Sequence, residues 1–312
     1  MDQFISSVFH DRYQVQSLLG RKTGRRTFLA TDLETDSIVV LKLLLFAPDF
    51  TWEDLKLFER EAETLKSLDH PAIPKYLDYF ETDTELGKGF ALVQSYIKAR
   101  SLQQWTQSGR TFSEVNLREI AQHLLKILAY LHDRNPPTIH RDIKPSNILL
   151  GDRYRSGSAS RSGNSVGKIY LVDFGSVQTA AHGGTVTVVG TYGYMPPEQF
   201  GGRSLPASDL FSPGATLIYL ATGQHPADLP QADLRIEFEK SANLSKHFSQ
   251  WIHKLTEPSL SRRAASVKGA IDRLQNPPKS PSNQPFSLLR RPASKIQLQA
   301  TSATLRIQIP KA

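Results

Sequence analysis

The stretch IHRDIKPSNILL, residues 139–150, gathers polar side chains whose types and spacing suit the transfer of a phosphoryl group. Asp142 is followed two positions later by Lys144 and five positions later by Asn147, with apolar residues on both sides. Such a transfer needs a carboxylate for the incoming hydroxyl, a cation for the developing charge and an oxygen ligand for a divalent metal ion. The stretch therefore predicts a catalytic loop.

A second carboxylate follows in IYLVDFGS, residues 169–176, where an apolar strand ends at Asp173 and a turn follows at Gly175. A carboxylate in this position suits a hard divalent cation that is shared with phosphate oxygens. Asp173 is therefore predicted to be a metal ligand.

Strands and then helices must position these loops. Residues 13–46 predict three strands, YQVQSLL, RTFLAT and SIVVLKLLLF, and GFALVQSYI predicts another. Before this last strand, TWEDLKLFEREAETLKSL has apolar residues at helical spacing, with Thr51 as N-cap and Asp54 completing an approximate capping box. Further on, SEVNLREIAQHLLKILAYLHDR predicts a long amphipathic helix capped by Ser113. This order predicts an α+β protein with two unequal lobes.

The composition of the chain is that of a globular protein, and it argues against membrane and disulfide-rich classes. With 312 residues, of which 39% are hydrophobic and 22% charged, the chain is long enough for a substantial core. No apolar run approaches the ~20 residues of a membrane helix, and the start has no secretory pattern, so we expect a cytoplasmic protein without a transmembrane segment. The sequence has no cysteine, which excludes disulfides and thiolate chemistry.

The net charge of +8 belongs mainly to the C-terminal end. Seven of the 38 basic residues lie from Arg273 onward, where no acidic residue occurs, so the remaining 31 nearly balance the 30 acidic residues. This tail contains one aromatic residue, Phe286, and lacks the aromatic interleaving of proteins that bind single-stranded nucleic acid. We therefore expect no nucleic-acid partner.

Three segments differ from the rest of the chain. Residues 151–168 contain twelve Gly, Ser or Arg residues among eighteen, which predicts a mobile surface insertion. Residues 276–294 contain five prolines and predict a linker. In residues 295–312, KIQLQ and LRIQI alternate apolar with polar residues and predict a β-hairpin. Because a lone hairpin is only marginally stable, this finish is compatible with a longer chain, including one with a membrane segment beyond it.

Six motifs occur in order along residues 11–274: VVLK ending at Lys42, FEREAE around Glu61, HRDIKPSN, DFG, GTYGYMPPE and SDLFSPGATLIYLATGQHP. Together they resemble the motifs of protein kinases, particularly serine/threonine kinases of bacterial, cyanobacterial type. The resemblance implies the bilobal protein kinase fold, with a β-rich N-lobe carrying one helix over 11–97 and a mainly helical C-lobe over 98–275. It also implies transfer of the γ-phosphate of ATP to Ser or Thr hydroxyls of a protein substrate in bacterial signalling.

The resemblance implies a role for each polar residue of the catalytic region. Asp142 would accept the proton of the substrate hydroxyl, and Lys144 would steady the γ-phosphate. Asn147 and Asp173 would bind Mg²⁺, with Mn²⁺ as a substitute. Lys144, together with a substrate-facing Thr191, indicates specificity for serine and threonine.

The resemblance also implies an ATP pocket. Lys42 would hold the α- and β-phosphates and pair with Glu61. The other residues implied in nucleotide binding are Gly20, Lys22, Gly24, Thr27, Val40, Gln94, Tyr96 and Leu149. Val40 stands where most kinases have alanine, which is expected to tighten the pocket against Thr27 and Leu149.

Residues 176–195 resemble an activation loop. Arg141 would pair with a phosphate on this loop, at Thr187 or at its near neighbour Thr185. Autophosphorylation of one copy by another would require a transient homodimer.

Further residues match structural positions of the family. Glu198 would form a buried ion pair with Arg263, with Arg262 as the less favoured partner, and Asp209 would brace the catalytic loop through backbone hydrogen bonds. Pro213 falls in the first turns of a predicted helix and would kink it at a cost of about 3 kcal/mol if it were fully interior.

The loop before Lys42 departs from the family pattern G-x-G-x-x-G-x-V. Its four defined positions hold Gly20, Lys22, Arg25 and Thr27, so only the first glycine is kept. Long side chains at two glycine positions could block the approach of backbone N–H groups to phosphates, or their charge could compensate. We favour a loop that still covers ATP. The alternative is a pseudokinase, a scaffold or binding module with an impaired nucleotide loop.

Overall fold

A computed structural model describes residues 3–22, 24–46, 50–151, 166–179, 190–276, 297–301 and 304–308. The chain divides into two compact units, Met1–Asn276 and Pro277–Ala312. The predicted phosphorylation sites Thr185 and Thr187, most of the predicted insertion and the whole predicted linker after Asn276 lie outside the described residues.

The N-terminal lobe is a six-stranded antiparallel sheet with one helix. Its strands lie in the order β1-β2-β3-β4-β6-β5. They are β1 Val8–Phe9, β2 Tyr13–Lys22, β3 Arg25–Asp32, β4 Ser37–Leu45, β5 Tyr76–Thr84 and β6 Gly87–Ser95, and the helix is α1 Trp52–Ser67. Consecutive strands pair as antiparallel hairpins except at the crossover between β4 and β5, which contains α1.

One face of this sheet is covered by the start of the chain. Alternate residues such as Phe28 and Leu41 point to this face because successive side chains of a strand face opposite sides. Phe4 and Phe9 pack on them, with ring centroids of Phe4 and Phe28 6.0 Å apart. The N-lobe therefore begins before residue 11, the predicted boundary. Each phenylalanine has only one apolar neighbour, Ile5 or Val8, and these two short pairs carry no helical or strand period, so the pattern of the sequence could not assign them to the core.

Helix α1 begins as predicted. The Thr51 hydroxyl accepts a hydrogen bond from the Asp54 backbone N–H, and the Asp54 carboxylate accepts one from the Thr51 N–H, which confirms the capping box. Leu55, Phe58 and Leu65 are buried on the face that packs on the core. Glu61 lies on the same buried face and is carried towards β4.

The C-terminal lobe is mainly helical. Its helices are α2 Leu102–Gln107, α3 Glu114–His132, α4 Pro197–Phe200, α5 Phe211–Thr222, α6 Lys246–Leu255 and α7 Val267–Gln275, with 3₁₀ turns at Ser208–Leu210 and Pro226–Asp228. Its short strands are β7 Arg100–Ser101, β8 Thr138–Ile139, β9 Ile148–Leu150, β10 Ile169–Leu171, β11 Gln178–Thr179, β12 Gln231–Ala232 and β13 Arg235–Ile236. Pairing of β10-β9-β7 and of β11-β8 frames the predicted catalytic loop.

Helix α5 contains Pro213 as its third residue. The first N–H groups of a helix have no intrahelical partner, so a proline there removes no bond that the helix would otherwise make. The cost of an interior proline therefore does not apply.

Helix α3 is buried along one face and is capped by Ser113, as predicted. The Ser113 hydroxyl accepts a hydrogen bond from the Asn116 N–H. We expect Ser113→Ala to lower the free energy of unfolding by about 1 kcal/mol, because an orphan helix donor loses its acceptor. Ser113→Gly is the matched control and is expected to cost only a few tenths of a kcal/mol. Urea unfolding of the three proteins tests this, and an equal or larger loss in the glycine variant would contradict it.

The predicted limits of the mobile insertion, residues 151 and 168, are too wide at both ends. Val166 is buried in the core of the C-lobe, and its N–H donates to the Glu119 carboxylate at 2.9 Å. The Gly151 N–H donates to the Lys168 carbonyl at 2.9 Å, next to the paired strands β9 and β10. A single valine in a Gly/Ser-rich run carries too little pattern to be recognised as core.

The second unit contains strands β14 Gln297–Thr301 and β15 Thr304–Gln308, which pair in antiparallel register. They overlap the two segments of the predicted hairpin. Among the described residues of the chain, no helix has the length and apolar character needed to cross a membrane.

Candidate active site

A cleft of about 830 Å³ lies between the two lobes of the first unit. Thr27 and Val40 line it from the sheet, and Leu149 lines it from the C-lobe. The other predicted site residues that line it are Gly20, Lys42, Glu61, Gln94, Tyr96, Lys144, Asn147 and Asp173. The cleft is thus bounded by apolar surface on one side and by charged groups on the other. Ser95 and Ile97, beside Tyr96 in the segment that joins the lobes, also line it and were not predicted.

The Asp142 carboxylate is held by three side chains. Its Oδ1 accepts a hydrogen bond from the Thr191 hydroxyl at 2.7 Å, and its Oδ2 accepts from Lys144 Nζ at 2.8 Å and Asn147 Nδ2 at 3.2 Å. Lys144 also donates to Thr191 Oγ1 at 2.7 Å. A hydroxyl that approaches this carboxylate can therefore donate to a fixed acceptor, beside a cation that can offset charge on a phosphate.

Asp209 holds the backbone that precedes Asp142. Its carboxylate accepts the His140 N–H at 2.7 Å and the Arg141 N–H at 2.9 Å, and it also contacts His132 at 3.0 Å. Arg141 has a φ of +67°, a left-handed conformation that is unfavourable for a residue other than glycine. The hydrogen bonds to Asp209 stabilise this conformation and fix the direction of the loop.

Arg141 reaches the segment that follows Asp173. Its guanidinium donates to the Ser176 carbonyl and to Gln178 Oε1, the latter at 3.1 Å. Desolvation by burial lowers the pKa of Arg141 to about 10, and the nearby positive charge of Arg60 acts in the same direction. A guanidinium in this environment is suited to an added negative charge.

Lys42 lies between two carboxylates. Its Nζ donates to Glu61 Oε1 at 2.5 Å and to Asp173 Oδ1 at 3.1 Å. Burial alone would lower the pKa of Lys42, but the charges of Asp173 and Glu61 outweigh it and hold the pKa above its usual value. Burial raises the pKa of Glu61, and Lys42 opposes this shift. Lys42 is therefore a charged donor held at the inner wall of the cleft.

Asn147 and Asp173 supply oxygen atoms on neighbouring backbone segments. The Asn147 Nδ2 donates to the Asp142 carbonyl at 2.9 Å, and the Val172 N–H donates to the Asn147 carbonyl at 2.9 Å. Asp173 has a φ of +68°, another left-handed residue beside the cleft. Among the described residues no group of three or more His, Cys, Asp or Glu side chains could hold a metal ion. The carboxamide and carboxylate fit a hard divalent cation whose further ligands are phosphate oxygens or water.

The loop with few glycines is a β-hairpin that projects over the cleft. Lys22 ends β2 opposite Arg25, Gly20 pairs with Thr27, and Gly24 at the tip has a φ of +65°. The turn therefore uses Gly24, which lies one position before the third glycine of the family pattern, for a left-handed conformation. Arg25 contacts α1 through the Asp54 carbonyl at 3.0 Å. This contact was not predicted.

Glu198 pairs with Arg263 and not with Arg262. Arg263 Nη1 and Nη2 donate to the two Glu198 carboxylate oxygens at 2.6 and 3.0 Å, and the Arg263 side chain is 0% exposed. Burial alone would raise the pKa of Glu198, but Arg263 and Ser208 hold it below its usual value. Arg262 instead pairs with Glu257 at the surface, at 2.9 Å.

Residues 13–277 match the family model described as the protein kinase domain. The chain belongs to this family, and the sheet, the cleft and the helical lobe agree with its bilobal α+β fold.

The chain is similar to serine/threonine kinases of cyanobacteria. It is 34% identical to serine/threonine-protein kinase B of Synechocystis sp. over 85% of this chain and 46% of the relative. It is 35% identical to serine/threonine-protein kinase D of the same organism, over 85% of this chain and 52% of the relative. It is 32% identical to serine/threonine-protein kinase PknA of Nostoc sp., over 91% and 51%. The chain thus spans about half the length of the curated relatives it matches.

Proposed function

We propose that this protein is an ATP-dependent protein serine/threonine kinase. The observation that carries the proposal is the Asp142 carboxylate, which bonds to Thr191 and to Lys144, and Lys144 lines the same cleft as the pair Lys42–Glu61. The sequence keeps every polar residue that the family resemblance assigns to phosphoryl transfer, and Gly20 and Thr27 of the hairpin with few glycines line the cleft. No observation favours the pseudokinase alternative.

In this proposal the residues of the chain bind ATP, orient its phosphates and accept the proton of the substrate hydroxyl. Lys42 holds the α- and β-phosphates, and Glu61 keeps its amine in place. Asp142 accepts the proton of the substrate hydroxyl, and Lys144 offsets the charge of the transferred phosphoryl group. Asn147 and Asp173 hold a divalent cation, which we propose is Mg²⁺ with Mn²⁺ as a substitute. When bound, the cation neutralises charge on the phosphates.

The substrates are proposed to be Ser or Thr hydroxyls of proteins, as in bacterial signalling. The names of the similar proteins and the placement of Thr191 beside Asp142 support this preference. Regulation by phosphate on Thr187 or Thr185 stays a prediction, supported by the buried guanidinium of Arg141, and so does the transient homodimer. The cytoplasmic location stays a prediction as well.

The direct test is transfer of labelled γ-phosphate from Mg·ATP to the protein itself and to a generic acceptor protein. We expect label on serine and threonine after acid hydrolysis, loss of incorporation in excess EDTA, and recovery on addition of Mg²⁺ or Mn²⁺. A folded protein that transfers no label over a wide range of ATP concentrations, also after phosphorylation by an active bacterial kinase that is then removed, would contradict the proposal and favour a scaffold.

A further inference from the structure

The hairpin of β2 and β3 carries Arg25 where the family pattern has its third glycine. Arg25 pairs with Lys22 on β2 and with Leu44 on β4. Phe28, three positions on, faces the outer apolar layer, so Arg25 and Thr27 share the opposite face of β3, towards the cleft and α1. The register of the sheet therefore directs the Arg25 side chain inward.

The Arg25 guanidinium bonds to the first turn of α1. Its Nη2 donates to the Asp54 carbonyl at 3.0 Å and lies 3.5 Å from Asp54 Oδ1, and the side chain is 26% exposed. The other carboxylate oxygen of Asp54 accepts bonds from the Thr51 hydroxyl at 2.7 Å and the Thr51 N–H at 3.2 Å. Arg25 thus donates to the same residue, Asp54, that completes the capping box of α1.

The same guanidinium also lies near the pair Lys42–Glu61. A Cβ atom placed on Gly175 would lie 3.7 Å from Arg25 Nη1, 3.0 Å from Glu61 Oε2 and 3.6 Å from Asp173 Oδ1, so these groups surround one point. Arg25 adds a second positive charge beside Lys42, and its charge opposes the rise that burial causes in the pKa of Glu61. One side chain therefore connects the hairpin, the start of α1 and the surroundings of Glu61.

We propose that Arg25 is a positioning residue that latches α1 to the hairpin and thereby keeps Glu61 on Lys42. The expected effect on phosphate transfer rests on the proposed function, whereas the expected effect of Arg25 on the position of α1 does not. In this chain the third glycine of the family pattern is replaced by Arg25, whose side chain links the hairpin to helix α1. The competing role, direct contact of Arg25 with a nucleotide phosphate, is an outcome of the test.

The test compares Arg25→Ala with Arg25→Lys and with Arg21→Ala. Arg25→Lys keeps the positive charge and a long side chain with N–H donors. Arg21→Ala removes the same charge from the same hairpin, without a described partner on α1. Asp54 is left unchanged because it also caps the helix.

Steady-state kinetics give the first readout. At saturating ATP we expect Arg25→Ala to lower kcat about tenfold, with KM for ATP within about threefold of the parent value, because the latch acts on the arrangement of Glu61 and Lys42. Arg25→Lys is expected to recover most of the loss in kcat.

Amide hydrogen exchange of residues 52–67 without nucleotide gives the second readout, which needs no catalysis. Faster exchange in the first turns of α1 is expected for Arg25→Ala and not for Arg21→Ala. Parent-like exchange in Arg25→Ala would overturn the latch. So would a rise in KM for ATP of more than about tenfold with unchanged kcat, which is the signature of a direct phosphate contact. If the parent protein transfers no phosphate, the exchange experiment still decides on the latch.

Discussion

Asp142→Asn is expected to lower phosphate transfer by about 10²- to 10⁴-fold, because an amide cannot accept the proton of the attacking hydroxyl. The substitution keeps the size of the side chain. Its effect should therefore fall on kcat, while binding of Mg·ATP changes little. Labelled γ-phosphate incorporation measures the first quantity, and calorimetric titration with Mg·ATP measures the second.

The matched control is Asp83→Asn, which makes the same change on the exposed edge of β5. We expect this variant to keep the parent rate. The unfolding temperature of Asp142→Asn must also be compared with that of the parent, since Lys144, Thr191 and Asn147 all bond to this carboxylate. A folded Asp142→Asn protein that keeps more than a tenth of the parent rate would remove Asp142 from the role of proton acceptor.

Arg263→Ala is expected to lower the free energy of unfolding by about 3–5 kcal/mol, because it leaves the Glu198 carboxylate buried and unpaired. The loss is large because Arg263 also donates to the carbonyls of Ala207, Glu257 and Pro258. Arg262→Ala removes the same side chain one position earlier, where it pairs with Glu257 at the surface. The expected loss there is about 0–1 kcal/mol. Urea unfolding of both variants gives the comparison.

The difference in unfolding free energy between the parent and Arg263→Ala is expected to depend on pH. The pKa of Glu198 is lowered in the folded parent, so its contribution is complete above the unfolded value of about 4.3 and is lost as the pH falls through the folded pKa. In Arg263→Ala the unpaired carboxylate can instead be neutralised by a proton. The difference in stability between parent and variant should therefore shrink as the pH falls from 7 to below about 4.

Should Arg263→Ala fail to fold, Glu198→Gln and Arg263→Lys preserve part of the bonding and can be measured in its place. An Arg262→Ala loss equal to that of Arg263→Ala would contradict the assignment of the buried pair.

The candidate catalytic residues could be predicted because their types and spacing match the requirements of the proposed reaction. Asp142, Lys144 and Asn147 lie within six positions, so one loop brings them together whatever surrounds it. Lys42 and Glu61 are farther apart, but a strand and a capped helix that both pack on the core bring them to bond distance.

Contacts that depend on side-chain direction across several elements were not predictable. The bond from Arg25 to Asp54 joins a hairpin tip to a helix end 29 positions away, and it requires the register that points Arg25 inward. Phe4 and Val166 lie in short segments with too few apolar residues to form a helical or strand period, so no periodicity marked them as buried. The choice of Arg263 over its neighbour Arg262 was predicted, but from the family resemblance and not from the pattern of the sequence, which does not show which of the two side chains faces inward.

The pairing of β9 with β10 gives the chain a connection whose length can change while the two strands stay paired. Leu150 lies opposite Ile169, and Gly151 bonds to Lys168, so the connection leaves and re-enters the sheet at adjacent positions. Each doubling of such a connection costs only about 0.6 kcal/mol of closure entropy. Asn147 and Asp173 are joined through the Val172 N–H and do not depend on it. A reporter peptide grafted into this connection should therefore leave the two proposed metal ligands in place.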